Sequence, residues 1–168
     1  MTTTDERNVQ RQRVRDYLSR YKIIKRRIAQ LTKRLKELQE DENEPINGVQ
    51  YSATPKGSKV SDGAAAYLYR KEDVIEQIDT EIQNKYKALS DALIVLKAIP
   101  LDSIERNVIE SKYIDNLSND DICKEMYWSY VSTVTYHTLK AIDMIIDNEN
   151  SMAIINEYYE VNYENKTD

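Results

Sequence analysis

The chain has 168 residues, of which 32% are charged, with a net charge of −5 and a mean hydropathy of −0.70. Its 3 Gly and 3 Pro predict long uninterrupted helices and argue against a turn-rich all-β fold. Cys123 and His137 are the single cysteine and histidine, so a disulfide framework and a cysteine-based metal site are excluded. A His-containing metal cluster or a Ser-His-Asp triad has almost no residues to draw on. No catalytic site, metal or cofactor is therefore expected. No apolar run reaches the roughly 18 residues a membrane span needs, and Met1 to Arg15 holds no apolar signal core. The sequence predicts neither a secreted nor a membrane protein.

The first predicted element is a basic heptad helix within residues 1–42. Val14, Tyr17, Tyr21, Ile24, Ile28, Leu31, Leu35 and Leu38 alternate three and four apart, the spacing of a coiled-coil seam. The pattern predicts a helix of about 25–35 residues. Residues 1–40 carry 12 Lys/Arg against 5 Asp/Glu, a net of +7, whereas 41–168 carry 12 against 24, a net of −12. A local positive field of this kind attracts polyanions. Arg20, Arg26, Arg27, Lys33 and Arg34 lie off the seam and are candidates for contacts with a DNA backbone. The same charges can equally solvate a coiled-coil surface or pair with the acidic body.

Residues 43–63 hold all three glycines and two prolines, Pro45 and Pro55, and read as an exposed loop. The Pro-Lys-Gly-Ser step at 55–58 lacks the spacing of a phosphate loop. A second long helix is expected over 64–99, capped by Ser61 or Asp62 and ending before Pro100. Leu68, Ile75, Ile82, Leu89 and Leu96 recur every seven residues, with Ile78, Tyr86 and Leu93 widening the stripe. The two helices predict an antiparallel hairpin, or a dimer in which the stripes meet across chains.

From Pro100 to residue 148 the texture changes to three short helices. Ile104, Val108 and Ile109 define one that ends near Tyr113 or Asp115. Ser118 to Asp121 starts another like a capping box, with Asp in place of Glu. Its inward residues are Ile122, Cys123 and Met126, Cys123 being read as a packed thiol. Ser129 or Ser132 can cap the third, with Val134, Thr138, Ala141 and Ile145 facing in. Residues 149–168 form one more helix or a tail. Two short helices, a tight connection and a third make a helix-turn-helix pattern. On that reading Tyr130, Ser132, Thr133, Thr135, Tyr136, His137 and Lys140 face a major groove, where hydroxyls and Tyr rings reach phosphates, base edges and thymine methyls. A three-helix packing unit without a nucleic-acid role would show the same pattern.

The run from Glu105 to Met126, followed by Ser132-Thr133-Val134 and Lys140-Ala141-Ile142, resembles the helix-turn-helix of sigma-factor region four. The whole of residues 14–146 is more similar to small phage regulators of the RinA/ArpU kind, which join a coiled-coil helix, a polar loop, a second long helix and this module. The resemblance implies a late-operon transcription activator working in the cytoplasm of a bacterial host. Thr135, Tyr136 and His137 stand where that family usually carries at least one Arg or Lys. Residues 101–146 hold 4 Lys/Arg against 8 Asp/Glu, a net of −4, so this module alone should attract DNA weakly.

The expected fold is all-α: a long coiled-coil-like helical hairpin followed by a C-terminal helix-turn-helix module. The expected function is sequence-specific binding of double-stranded DNA, as a homodimer, with RNA polymerase as a further contact. The alternative is a helical protein-interaction module, a regulator or inhibitor, favoured by the acidic module and by Trp128 and Tyr130 as an exposed aromatic pair.

Overall fold

The computed structural model describes residues 3–43 and 62–162, and the predicted loop lies outside the described residues apart from its ends. Every regular element among them is a helix. In chain order these are α1 (Thr3–Asn43), α2 (Asp62–Leu96), α3 (Ile104–Tyr113), α4 (Asn119–Glu125), α5 (Val131–Ile146) and α6 (Glu149–Asn162). The all-α fold is as expected, although α1 is longer than its heptads alone predict, at 41 residues. Two compact units are present, one formed by Met1–Ile23 and Lys85–Asp168, the other by Ile24–Asn84.

In the smaller unit, α1 and α2 run antiparallel. The Tyr67 hydroxyl donates to the Leu38 carbonyl at 2.6 Å, and Arg27 Nε meets Glu81 Oε1 at 2.9 Å. Leu31 is buried, and Ile24, Ile28, Leu35 and Leu38 are partly so, which keeps the α1 seam on its predicted face.

The α2 stripe needs correction. Leu68 is 53% exposed and Ile75 40%; Ile82 and Leu89 are partly buried, and Leu96 is fully buried. The cause is arithmetic. A strict seven-residue series drifts about 20° per heptad on a helix of 3.6 residues per turn, or about 80° over four heptads. The series therefore walks around α2 from solvent to core. Tyr86 and Leu93 point outward as well. The inward positions are instead Glu81, Ala88, Ala92 and Val95, and small side chains allow a close helix approach there.

In the larger unit, Val14, Tyr17 and Leu18 of α1 share one core with Ala92, Val95 and Leu96 of α2 and Ile109 and Tyr113 of α3. Ala141, Ile142 and Ile145 of α5 and Met152 and Ile155 of α6 complete it. Polar ties hold its edges. Arg106, buried on α3, donates to Glu110 and to the Leu96 carbonyl at the end of α2, which also accepts from the Ile99 amide at 3.0 Å. Arg11 makes a two-pronged bond to Asp143 at 2.9 and 2.8 Å, and Arg7 pairs with Asp147 at 2.7 Å. These cations offset two carboxylates placed at the unfavourable C-terminal end of α5. Asn148 caps α6, accepting from the Ser151 amide at 3.0 Å. The final helix thus docks on the body, with its last predicted residues outside the described chain.

Candidate nucleic-acid interface

A second, smaller core defines the helix-turn-helix: Val108 from α3, Ile122 and Cys123 from α4, and Val134 from α5. Leu117, Met126 and Trp128 pack on its rim. The entry to α4 is capped as the sequence predicts. Ser118 Oγ accepts from the Asp121 amide at 3.1 Å while its hydroxyl donates to the Asp121 carboxylate at 2.5 Å. That bond holds the Asp121 carboxyl below its ordinary value.

The exit from α4 is less ordinary. The Trp128 amide donates to the Cys123 carbonyl at 2.9 Å and the Tyr127 amide to the Lys124 carbonyl at 3.1 Å, a Schellman closure. Its left-handed position is filled by Tyr127, with φ of 54° and 94% exposure. Glycine is the usual occupant because a Cβ is strained there. The thiol of Cys123 is buried as predicted and donates to the Trp128 carbonyl at 3.0 Å. Neither Ser129 nor Ser132 caps α5. The capping residue is Tyr130, whose extended backbone turns the chain without a side-chain bond.

Of the predicted groove-facing residues, Tyr130, Ser132, Thr135, Tyr136 and Lys140 are exposed and Thr133 is partly buried. Tyr130 and Tyr136 are 73% and 62% exposed. His137 is a correction. Its ring stacks on Trp128 with centroids 5.1 Å apart, and Nδ1 lies 3.1 Å from Glu105 Oε1. An ionised carboxylate only accepts, so Nδ1 carries the proton and donates. Trp128 is consequently partly buried, and the expected exposed pair of Trp128 and Tyr130 reduces to Tyr130 with Tyr127 and Tyr136.

Lys140 Nζ reaches the same Glu105 oxygen at 2.6 Å. Glu105 is a buried carboxylate at the start of α3, and the Lys140 contact above all, helped by a backbone bond and by His137, outweighs its burial. Its carboxyl is held at about 2. Sequence reasoning missed Glu105 because its partners lie 32 and 35 positions away, with no local spacing to signal them. Tyr127 was missed because nothing in its neighbours marks a left-handed residue.

The α1 backbone candidates divide. Arg20 pairs with Asp91 at 3.5 Å and lies over the rings of Tyr17 and Tyr158 at 4.7 and 4.0 Å. Arg27 pairs with Glu81, and Lys33 with Glu37 at 3.6 Å. Arg26 and Arg34 are exposed and form no ion pair among the described residues.

No protein-family model, curated protein or solved structure matches this chain. The likeness to sigma region four and to RinA/ArpU regulators accordingly rests on the residues quoted for it. No helix among the described residues is long and apolar enough to cross a membrane.

Proposed function

We propose that this chain is a sequence-specific DNA-binding transcription regulator that places the N-terminal half of α5 in a major groove. The carrying observation is the α3–α4–α5 packing around Val108, Ile122, Cys123 and Val134. It leaves Ser132, Thr135 and Tyr136 exposed at the start of the third helix. That is the placement groove reading requires. In the same reading the protein is a phage late-gene activator in a bacterial host, works as a homodimer and touches RNA polymerase. The outward Tyr86 and Leu93 of α2 support self-association, since exposed apolar stripes mark interaction surfaces. The test is selection of the purified protein on a random duplex pool, beside a Thr135→Ala/Tyr136→Ala variant. Two spaced half-sites enriched by the wild type and lost in the variant would support the proposal; no enrichment at low salt would sink it.

A specific observation favours a second reading, a protein-binding module. Lys140, the main cation of α5, is paired with Glu105, and three tyrosines (Tyr127, Tyr130 and Tyr136) stand exposed on the turn and α5. Aromatic side chains of this kind anchor protein interfaces. Salt separates the two readings: duplex binding weakens steeply between about 50 and 200 mM, and a tyrosine-centred contact does not.

A further inference from the structure

Two donors of α5 share one oxygen of α3. Glu105 Oε1 accepts from Lys140 Nζ at 2.6 Å and from His137 Nδ1 at 3.1 Å. The donors differ in freedom. The His137 side chain is 17% exposed, its ring stacked on Trp128 at 5.1 Å and in a T-shaped contact with Tyr136 at 5.2 Å. The Lys140 side chain is 53% exposed and sits on a flexible four-carbon stem.

The titratable and charged groups facing the ring are few. α3 brings Glu105, and α5 brings Lys140 and Tyr136. The turn brings the uncharged Trp128, and α4 reaches this side through Cys123, whose thiol is committed to the Trp128 carbonyl. Between pH 5 and 8 Glu105 stays ionised, its carboxyl held at about 2, and the same bond holds the Lys140 ammonium above its ordinary value. Histidine is the side chain whose ordinary charge change falls in that range, and His137 is the single histidine of the chain.

With a neutral ring, the Glu105 carboxylate and the Lys140 ammonium cancel. A proton added at Nε2 leaves one net positive charge. Glu105 and the indole face of Trp128 attract the imidazolium, while Lys140 and partial burial oppose it. Two cations then crowd one oxygen, and the crowding is relieved by the one that can leave. Lys140 can swing into solvent; His137 is held against Trp128.

We propose that His137 is a proton-operated switch: on taking a proton its ring claims Glu105 and releases Lys140 to a phosphate of the bound duplex. The release to DNA rests on the DNA-binding reading above, whereas the competition at Glu105 does not.

Both halves are tested on the full-length chain. The proton on Cε1 of the single histidine, followed by NMR from pH 8 to pH 5, gives the midpoint of its titration. Removing the competitor in Lys140→Gln should raise that midpoint by roughly half a pH unit or more, and Glu105→Gln should lower it. Trp128 is the single tryptophan, so its fluorescence should be quenched along the same curve, and His137→Gln should abolish the change. A midpoint unmoved by Lys140→Gln overturns the competition. At fixed ionic strength, a selected duplex should bind about three- to tenfold more tightly at pH 5.5 than at pH 8, with a salt slope steeper by about 0.9. Both gains should vanish in His137→Gln and in Lys140→Gln. Duplex binding that ignores pH in the wild type, or a gain that survives in Lys140→Gln, overturns the release to DNA. If the wild type binds no duplex at either pH, the DNA reading fails and the histidine midpoints alone decide the switch.

Discussion

Lys140 Nζ of α5 lies 2.6 Å from Glu105 Oε1 of α3, so the main cation of the helix expected to meet DNA is already neutralised within the protein. The pair makes the charge of this face adjustable. Replacing Glu105 by Gln removes the counter-charge and frees Lys140 for a phosphate. Duplex binding by Glu105→Gln is expected to strengthen roughly three- to tenfold at moderate salt, with a slope steeper by about 0.9. Fluorescence anisotropy across a salt series checks both. Unaltered affinity would mean that Lys140 does not face the nucleic acid.

The same carboxylate sets an acid limit. Glu105 titrates at about 2 in the folded chain against an ordinary 4.5, so its contribution to stability is complete above about pH 4.5 and is lost as pH falls toward 2. Asp143, held low chiefly by its bond to Arg11, acts in the same direction. Thermal midpoints measured from pH 7 down to pH 2 should drop over that window. The drop should be shallower in Glu105→Gln, because a neutral amide has no proton to take up.

Tyr127 occupies a left-handed position where a Cβ costs about 1–2 kcal/mol. Tyr127→Gly is expected to raise stability by about 1 kcal/mol. If the exposed ring serves a partner, the same variant should bind that partner less well, a trade of stability against function found at strained sites. Chemical denaturation and a binding assay on one preparation report the two effects. A variant less stable than the wild type would contradict the backbone argument.

On α2, neighbouring residues should respond in opposite ways. Ala92 is 2% exposed and Leu93 39%. Ala92→Leu should overpack the core and cost about 1–3 kcal/mol. Leu93→Ala should change monomer stability by no more than about 0.5–1 kcal/mol while weakening any self-association. Urea titration and sedimentation equilibrium distinguish these effects.

Much of the fold is legible from local pattern. The α1 seam, the Ser118 cap, the end of α2 before Pro100 and the inward residues Val134, Thr138, Ala141 and Ile145 all follow from spacing and capping chemistry. The outward turn of Leu68 and Ile75 is not, because heptad spacing shows that a stripe exists but not which arc of it a neighbouring helix covers. The candidate interface divides the same way. Exposure of Thr135 and Tyr136 follows from helix periodicity, while the inward turn of His137 depends on Glu105 and Trp128, which meet it only in three dimensions. The pairing of Arg20 and Arg27 likewise needs carboxylates more than fifty positions further along the chain, Asp91 and Glu81.

Cys123, the single thiol, packs behind the turn with its Sγ bonded to the Trp128 carbonyl. With 7% of its surface exposed, it should react with an alkylating reagent slowly in the closed protein and faster whenever its packing against α3, α5 and Trp128 opens. The native protein thus carries its own chronometer: the labelling rate of this one sulfur reports how often the helix-turn-helix opens, without a dye or an introduced residue. A ligand seated across α4 and α5 would slow that clock, and one bound elsewhere would leave it running at the same pace.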